Sequence, residues 1–240
     1  MYYGGYGYGY GFDWTWILII IASIFTIYAQ AKVSSAYNRY SNVPSQKGLT
    51  GIDTAKTIMQ ANGIDIPIEV ISGTLTDHYD PSAKRLRLSS AVANGNSIAS
   101  VAIAAHEVGH AIQHDVGYVP IKIRGAIVPV VNISSKLAMP LIIIGIIIAA
   151  SGQLSGSTLI LDIGIILFAA VVAFHIITLP VELNASSRAL KQIEALDIVT
   201  ADEKKGAKKV LKAAAMTYVA AMAVALLQLV RILAIRGRSS

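Results

Sequence analysis

The chain alternates between apolar stretches and one long polar segment. The apolar stretches fall at 14–31, 126–150, 158–180 and 213–235, each close to the ~20 residues that a membrane-crossing helix needs. The first opens with Trp14 and Trp16 and runs on from Ile17 to Ala29. The second contains Leu141-Ile142-Ile143-Ile144-Gly145-Ile146-Ile147-Ile148, with Lys136 near its inner end, where a long stem can carry the charge to the interface. A short uncharged loop, 151–157, joins it to the third, Thr158 to Leu179. The fourth, Ala213 to Ile235, is richer in Ala and a weaker candidate. This pattern predicts a mostly α integral membrane protein with about four transmembrane helices, and a small α+β domain built from the polar segment.

Residues 32–125 form that polar segment, and it should hold the chemistry. Gly51-Ile52-Asp53-Thr54-Ala55 leads into a short helix through Gln60, closed by Asn62-Gly63. Ile66 to Ile71 reads as a strand, Asp77-His78-Tyr79-Asp80-Pro81 as a turn, and Arg85-Leu86-Arg87-Leu88 as a half-exposed strand. Residues 84–89 would make either a plain structural hairpin or an exposed edge on which a substrate backbone pairs in extended form. Asn94-Gly95-Asn96-Ser97 supplies turn and cap residues for a helix beginning at Ile98, and Gly117 with Pro120 ends it.

Composition supports the membrane assignment: 54% of residues are hydrophobic and 14% charged, the latter well below the usual quarter for soluble domains. The net charge is +6. The basic residues cluster in segments that share one side of the predicted bilayer: Lys32, Arg39, Lys122, Arg124, Arg188, Lys191 and those from Lys204 to Lys212. The positive-inside rule makes that side the cytoplasm and gives a multi-pass inner-membrane protein facing anionic lipid, with no call for nucleic acid as partner. Arg231, Arg236 and Arg238 resist this scheme. The last helix either spans against the charge bias, which is the favoured reading, or packs on the cytoplasmic domain. The first 13 residues are a Tyr/Gly tract without Lys or Arg. Its lack of positive charge favours a retained anchor over a signal peptide cleaved at Ala29-Gln30-Ala31. With no Cys, a metal would have to use imidazoles and carboxylates.

Such residues occur in one compact motif, His106-Glu107-Val108-Gly109-His110. Histidines four apart lie on one face of a helix and can share a single zinc ion, while Glu107 can reach a water beside it. Ala99, Ala102 and Ile103 share that face, and small residues there would let another helix deliver a third ligand. Glu182, just after the third span, is the candidate, because the two intervening spans form a hairpin that returns the chain to the motif helix. Alone it would read as an interfacial carboxylate. His114 continues the series but stands about 12 Å beyond His106 along a helix, too far for one metal; it reads as a helix-end histidine. His175, seven residues before Glu182, is an intramembrane histidine that would be either buried structure or an aid to the reaction. His78 reads as a turn residue and Asp162 as interfacial.

Taken together, Leu75-Thr76-Asp77-His78-Tyr79-Asp80-Pro81, His106 to Gln113, and Pro180-Val181-Glu182-Leu183-Asn184-Ala185-Ser186-Ser187-Arg188-Ala189 resemble the YugP-like bacterial membrane zinc metallopeptidases. The resemblance covers nearly the whole chain. It implies a fold similar to the HtpX-type gluzincins, one zinc ion per chain, and a third ligand within an E-x-x-x-D motif whose Asp orients a zinc-bound histidine. Glu182 matches the Glu, but Ser186 stands in the Asp position, where a hydroxyl is the weaker partner. Asn184 or Arg188 would then contribute. The expected activity is hydrolysis of peptide bonds in peptide or protein substrates, membrane proteins among them, with Glu107 as general base. The competing readings are a zinc-binding membrane protein with a structural or sensing role, and a scaffold whose motif is accidental.

Overall fold

The computed structural model describes residues 15–151 and 157–238. The Tyr/Gly tract, Trp14 and most of the 151–157 loop lie outside the described residues. Among the described residues, four helices are long and apolar enough to cross a membrane: α1 (Thr15–Ser41), α5 (Val119–Ala150), α6 (Ser157–Ala195) and α7 (Ala201–Arg238). Between α1 and α5 lie α2 (Gly51–Ala61), β1 (Ile68–Ile71), β2 (His78–Asp80), β3 (Arg85–Ser89), α3 (Ser90–Asn94) and α4 (Ile98–Asp115). The fold is therefore mostly helical with a small three-stranded sheet.

Three boundaries differ from the sequence reading. The helix expected at 126–150 already starts at Val119, with Pro120 in its first turn, where a missing N–H costs nothing. Pro180 does not separate a span from a following helix; α6 passes straight through it and carries Glu182 on the same rod. The lost N–H of a proline is tolerated in long apolar helices because neighbouring helices hold the geometry. Similarly, α7 is continuous from the basic segment to Arg238 and packs along α1. Its far-end charges find partners on neighbouring helices: Arg236 pairs with Asp162 of α6, and Arg231 lies over the Trp16 ring of α1 at 4.6 Å.

The sheet also departs from expectation. Its order is β1-β3-β2, with β1 parallel and β2 antiparallel to β3. The middle of the segment read as a turn, His78–Asp80, is strand β2. Residues 84–89 lie in the centre of the sheet, so they offer no free edge to a substrate. The turn character was real but displaced: Asp80 Oδ1 accepts from the amides of Ser82 and Ala83, closing the β2–β3 connection.

Helix α4 is the axis of the molecule. It is buried along nearly its whole length, packed against α2, α6 and α7. Its small residues, Ala99, Ala102, Ala104, Ala105 and Gly109, let those neighbours approach closely. The main core joins it to Ile58 of α2, Leu86 and Leu88 of β3, and Ile193 of α6. A second, smaller cluster of Ile142, Leu161 and Ile232 ties α5, α6 and α7 together at their opposite ends.

Candidate metal centre

The motif helix is started by Ser97, whose Oγ accepts from the Ser100 amide at 3.1 Å. One turn apart on it, the rings of His106 and His110 stand edge to face with centroids 4.8 Å apart. Gly109, between them, faces α6 so closely that a Cβ would lie 2.6 Å from the Ala185 carbonyl oxygen. That approach brings Glu182, one helical turn before Ser186, up to the imidazoles. Its Oε2 lies 3.3 Å from His106 Nε2 and 3.4 Å from His110 Nε2. Glu182 is 2% exposed, and Arg124 of α5 holds its other oxygen at 3.1 Å. The arginine offsets the buried charge and selects which oxygen faces the histidines.

Hydrogen bonding sets the tautomers. Gln113 is fully buried and its amide nitrogen donates to the Val181 carbonyl at 2.8 Å and to Asn184 Oδ1 at 3.0 Å. A carbonyl only accepts, so the amide cannot be flipped, and Gln113 Oε1 must be the atom facing His110 Nδ1 at 3.0 Å. His110 Nδ1 therefore carries a proton and its neutral ring presents a lone pair at Nε2. On the other side, Ser186 Oγ lies 3.2 Å from His106 Nδ1 and can accept from it in the same way. Two imidazole lone pairs and a carboxylate oxygen thus converge, with all three ligand atoms within 4.8 Å of one another.

This donor set fits zinc. Bonds of 2.0–2.1 Å at tetrahedral angles place ligand atoms about 3.3–3.4 Å apart, which matches both Glu182–histidine distances. The potential at the site also attracts positive charge. Burial alone would lower the His110 imidazole, but Glu182 and Glu107 overcome it and raise its proton affinity. Burial pushes the Glu107 carboxyl up as well, helped by Glu182 and Asp77 and opposed by the two histidines.

Glu107 lies beside the triad without belonging to it. Its Oε2 accepts the Tyr79 backbone N–H at 3.1 Å, so the outer edge of β2 faces the centre. Asp77 fixes that strand by accepting from both the amide and hydroxyl of Ser89 at the end of β3. Asp77, Tyr79 and Glu107 line a cleft of about 290 Å³ together with the three ligand residues and with Arg124, Val128 and Tyr218.

The other sequence candidates separate clearly. Ser186 touches His106. Asn184 and Arg188 form the outer part of the His110 support, since Asn184 Oδ1 also accepts from Arg188 Nε at 2.8 Å. His78 is exposed on the cleft wall, bonded to the Thr76 carbonyl. His114 faces away, bonded to the Tyr79 hydroxyl at 2.9 Å. His175 does not join the centre; it borders a different, largely apolar cavity with Phe168 and Gln228. Gln113, Arg124, Tyr218 and the Tyr79 amide were not anticipated. Gln113 alone had a legible signal, standing three residues after His110 on the same helical face.

Long apolar helices around a two-histidine, one-glutamate centre define a class, that of membrane proteins with a metallopeptidase-type metal site. A family model described as "Putative neutral zinc metallopeptidase" matches residues 15–237, and the chain belongs to that family. The "Putative membrane protease YugP" of Bacillus subtilis (strain 168) is 47% identical over 213 residues, covering 88% of this chain and 92% of the relative. No solved structure matches.

Proposed function

We propose that the protein is a membrane-embedded zinc metalloendopeptidase, with His106, His110 and Glu182 holding one zinc ion and Glu107 acting as general base. The observation that carries this reading is the convergence of three acceptor atoms beside a buried carboxylate that takes no part in the convergence. A purely structural metal site has no use for that extra carboxylate. When bound, zinc would polarise the scissile carbonyl and acidify a water. The residues of the chain supply the rest. Arg124 orients Glu182 through its second oxygen, while Gln113 and Ser186 hold the two rings. Glu107, anchored by the Tyr79 amide, takes a proton from water and passes it to the leaving amine. The outer edge of β2, beside Glu107, is the place for an extended peptide to lie.

The centre belongs at the cytoplasmic interface. Glu182 follows Ser157 by 25 residues, about 37 Å of helix against a hydrocarbon core of about 30 Å, so it stands just past the core. The basic residues gathered at that end of the bundle favour a cytoplasmic orientation by the positive-inside rule. Peptides and proteins, membrane proteins among them, are the substrates expected there.

In the purified enzyme, Glu107→Gln should retain zinc and lose at least about 10²-fold in cleavage of a denatured protein. His106→Ala should lose both zinc and activity. Wild-type turnover by the Glu107→Gln variant would rule the mechanism out.

A further inference from the structure

The seam between α1 and α7 holds a second cavity, of about 380 Å³, which shares no lining residue with the cleft. Its walls carry four cations, Lys32 and Arg39 from α1 with Lys209 and Lys212 from α7, and no Asp or Glu lines it. Tyr28 and Tyr40 supply the aromatic surface, with Lys32 5.4 Å from the Tyr28 ring centre and Arg39 5.6 Å from that of Tyr40. Nearby basic residues behave differently: Lys47 pairs with Asp197, Lys204 with Glu194 and Lys205 with Asp202. Among the described residues, the four cavity cations form no ion pair with a carboxylate. Four like charges gathered without a counter-anion repel one another, and the arrangement is relieved by an anion from outside.

Two further features say where that anion comes from. Between Lys212 and Arg231 the α7 sequence is uncharged, and the 19-residue separation is about 29 Å of helix, close to the thickness of the hydrocarbon core. The cavity therefore sits at headgroup level. Continuing down the same face of α1 at heptad-like spacing, Ile24, Ile21 and Ile17 are 62%, 53% and 46% exposed. One face of one helix thus reads as three exposed isoleucines, then a tyrosine, then cations.

We propose that this seam binds an anionic phospholipid, with the headgroup phosphate among Lys32, Arg39, Lys209 and Lys212 and an acyl chain along the isoleucine stripe. A basic pocket between membrane helices is suited to such a headgroup, with each cation contributing about fivefold to affinity. The site is independent of the proposed peptidase chemistry.

Native mass spectrometry of the full-length protein, with phosphatidylglycerol or phosphatidylcholine added in detergent, tests the proposal. Phosphatidylglycerol should be retained at least about tenfold better. Lys209→Gln/Lys212→Gln should weaken its retention about 25-fold and Arg39→Gln about fivefold, with helical content by circular dichroism unchanged in each as the check on folding. Lys205→Gln/Lys208→Gln, outside the cavity, should leave retention at the wild-type level. Inorganic phosphate and glycerol 3-phosphate, which lack acyl chains, should not displace the lipid at equal concentration. Displacement by either would overturn the proposal in favour of a soluble-anion site. Equal retention of the two lipids, or equal losses from the Lys205/Lys208 and Lys209/Lys212 pairs, would reduce the cluster to diffuse surface charge and overturn it as well.

Discussion

The two imidazoles of the metal centre are only four residues apart, yet they are supported in different ways. His110 rests on Gln113, a fully buried amide fixed by the Val181 carbonyl and by Asn184, which in turn holds Arg188. His106 rests on one hydroxyl, Ser186 Oγ, at 3.2 Å, and its side chain is more exposed, 14% against 9%. The His110 support ties α4 to α6 through the two bonds of the Gln113 amide, which cannot rotate without stranding a fully buried polar group. The support of His106 is a single contact that a water molecule can replace. A pair of ligands that looks symmetric in sequence is thus rigid on one side and adaptable on the other.

Both supports depend on the contact of α4 with α6 at Gly109, so Gly109→Ala should break them together. The added Cβ would sit 2.6 Å from the Ala185 carbonyl oxygen, a backbone atom that cannot turn aside. Alanine gains about 1 kcal/mol in helix propensity, but over-packing costs about 1–3 kcal/mol and forces the helices apart. Zinc sites hold their ligand distances to within about 0.2 Å, so the separation should abolish tight zinc binding while the helical content by circular dichroism stays native. Stoichiometric zinc in the purified variant would show that α4 and α6 can part without moving the ligands.

Gln113→Leu should come next, acting on one side alone. Leucine fits the volume but leaves the buried His110 Nδ1 without its acceptor and removes the donor from the Val181 carbonyl and Asn184. An unsatisfied buried group costs about 1–3 kcal/mol, and loss of a partner that orients a metal-bound histidine lowers zinc affinity about 10–100-fold. Chelator competition measures the affinity and thermal unfolding the stability. A change below threefold in affinity would mean that helix packing, rather than Gln113, orients His110.

Much of this centre is legible in the sequence, and the parts that are not share a cause. His106, Glu107 and His110 declare themselves because their spacing matches the helical repeat. Glu182 could be reached because two apolar spans must return the chain to the side it left. Arg124 carries no such signal: it lies early in α5, in a stretch that reads as a loop until the helix is seen to begin at Val119. The role of Tyr79 resides in its main-chain N–H, which is common to almost all residue types, and its stretch was hidden under strong turn chemistry at Asp80-Pro81. Pro180 misled in the opposite direction, since local preference argued for a break that the surrounding helices prevent. Spacing along one element is legible; the meeting of different elements mostly is not.

Ser186 offers the finest test of the asymmetry, because it can be weakened or strengthened in place. In Ser186→Ala the His106 Nδ1–H loses its acceptor, but this side chain is only half-buried and water can take over. Zinc affinity should fall by no more than about tenfold, the low end of the range for such partners, and therefore less than in Gln113→Leu. Ser186→Asp should act the other way. A carboxylate accepting from an imidazole makes a charge-assisted bond about twice as strong as a neutral one, and its negative charge adds to the attraction for the cation. Opposing this, Glu107 and Glu182 already crowd the site with negative charge, so the net gain should be modest, about three- to tenfold by the same chelator competition. The direction decides the issue. Tighter binding in Ser186→Asp with weaker binding in Ser186→Ala identifies position 186 as the support of His106. Weaker binding in Ser186→Asp, with Ser186→Ala unchanged, would leave His106 held by helix packing alone and would remove one half of the comparison.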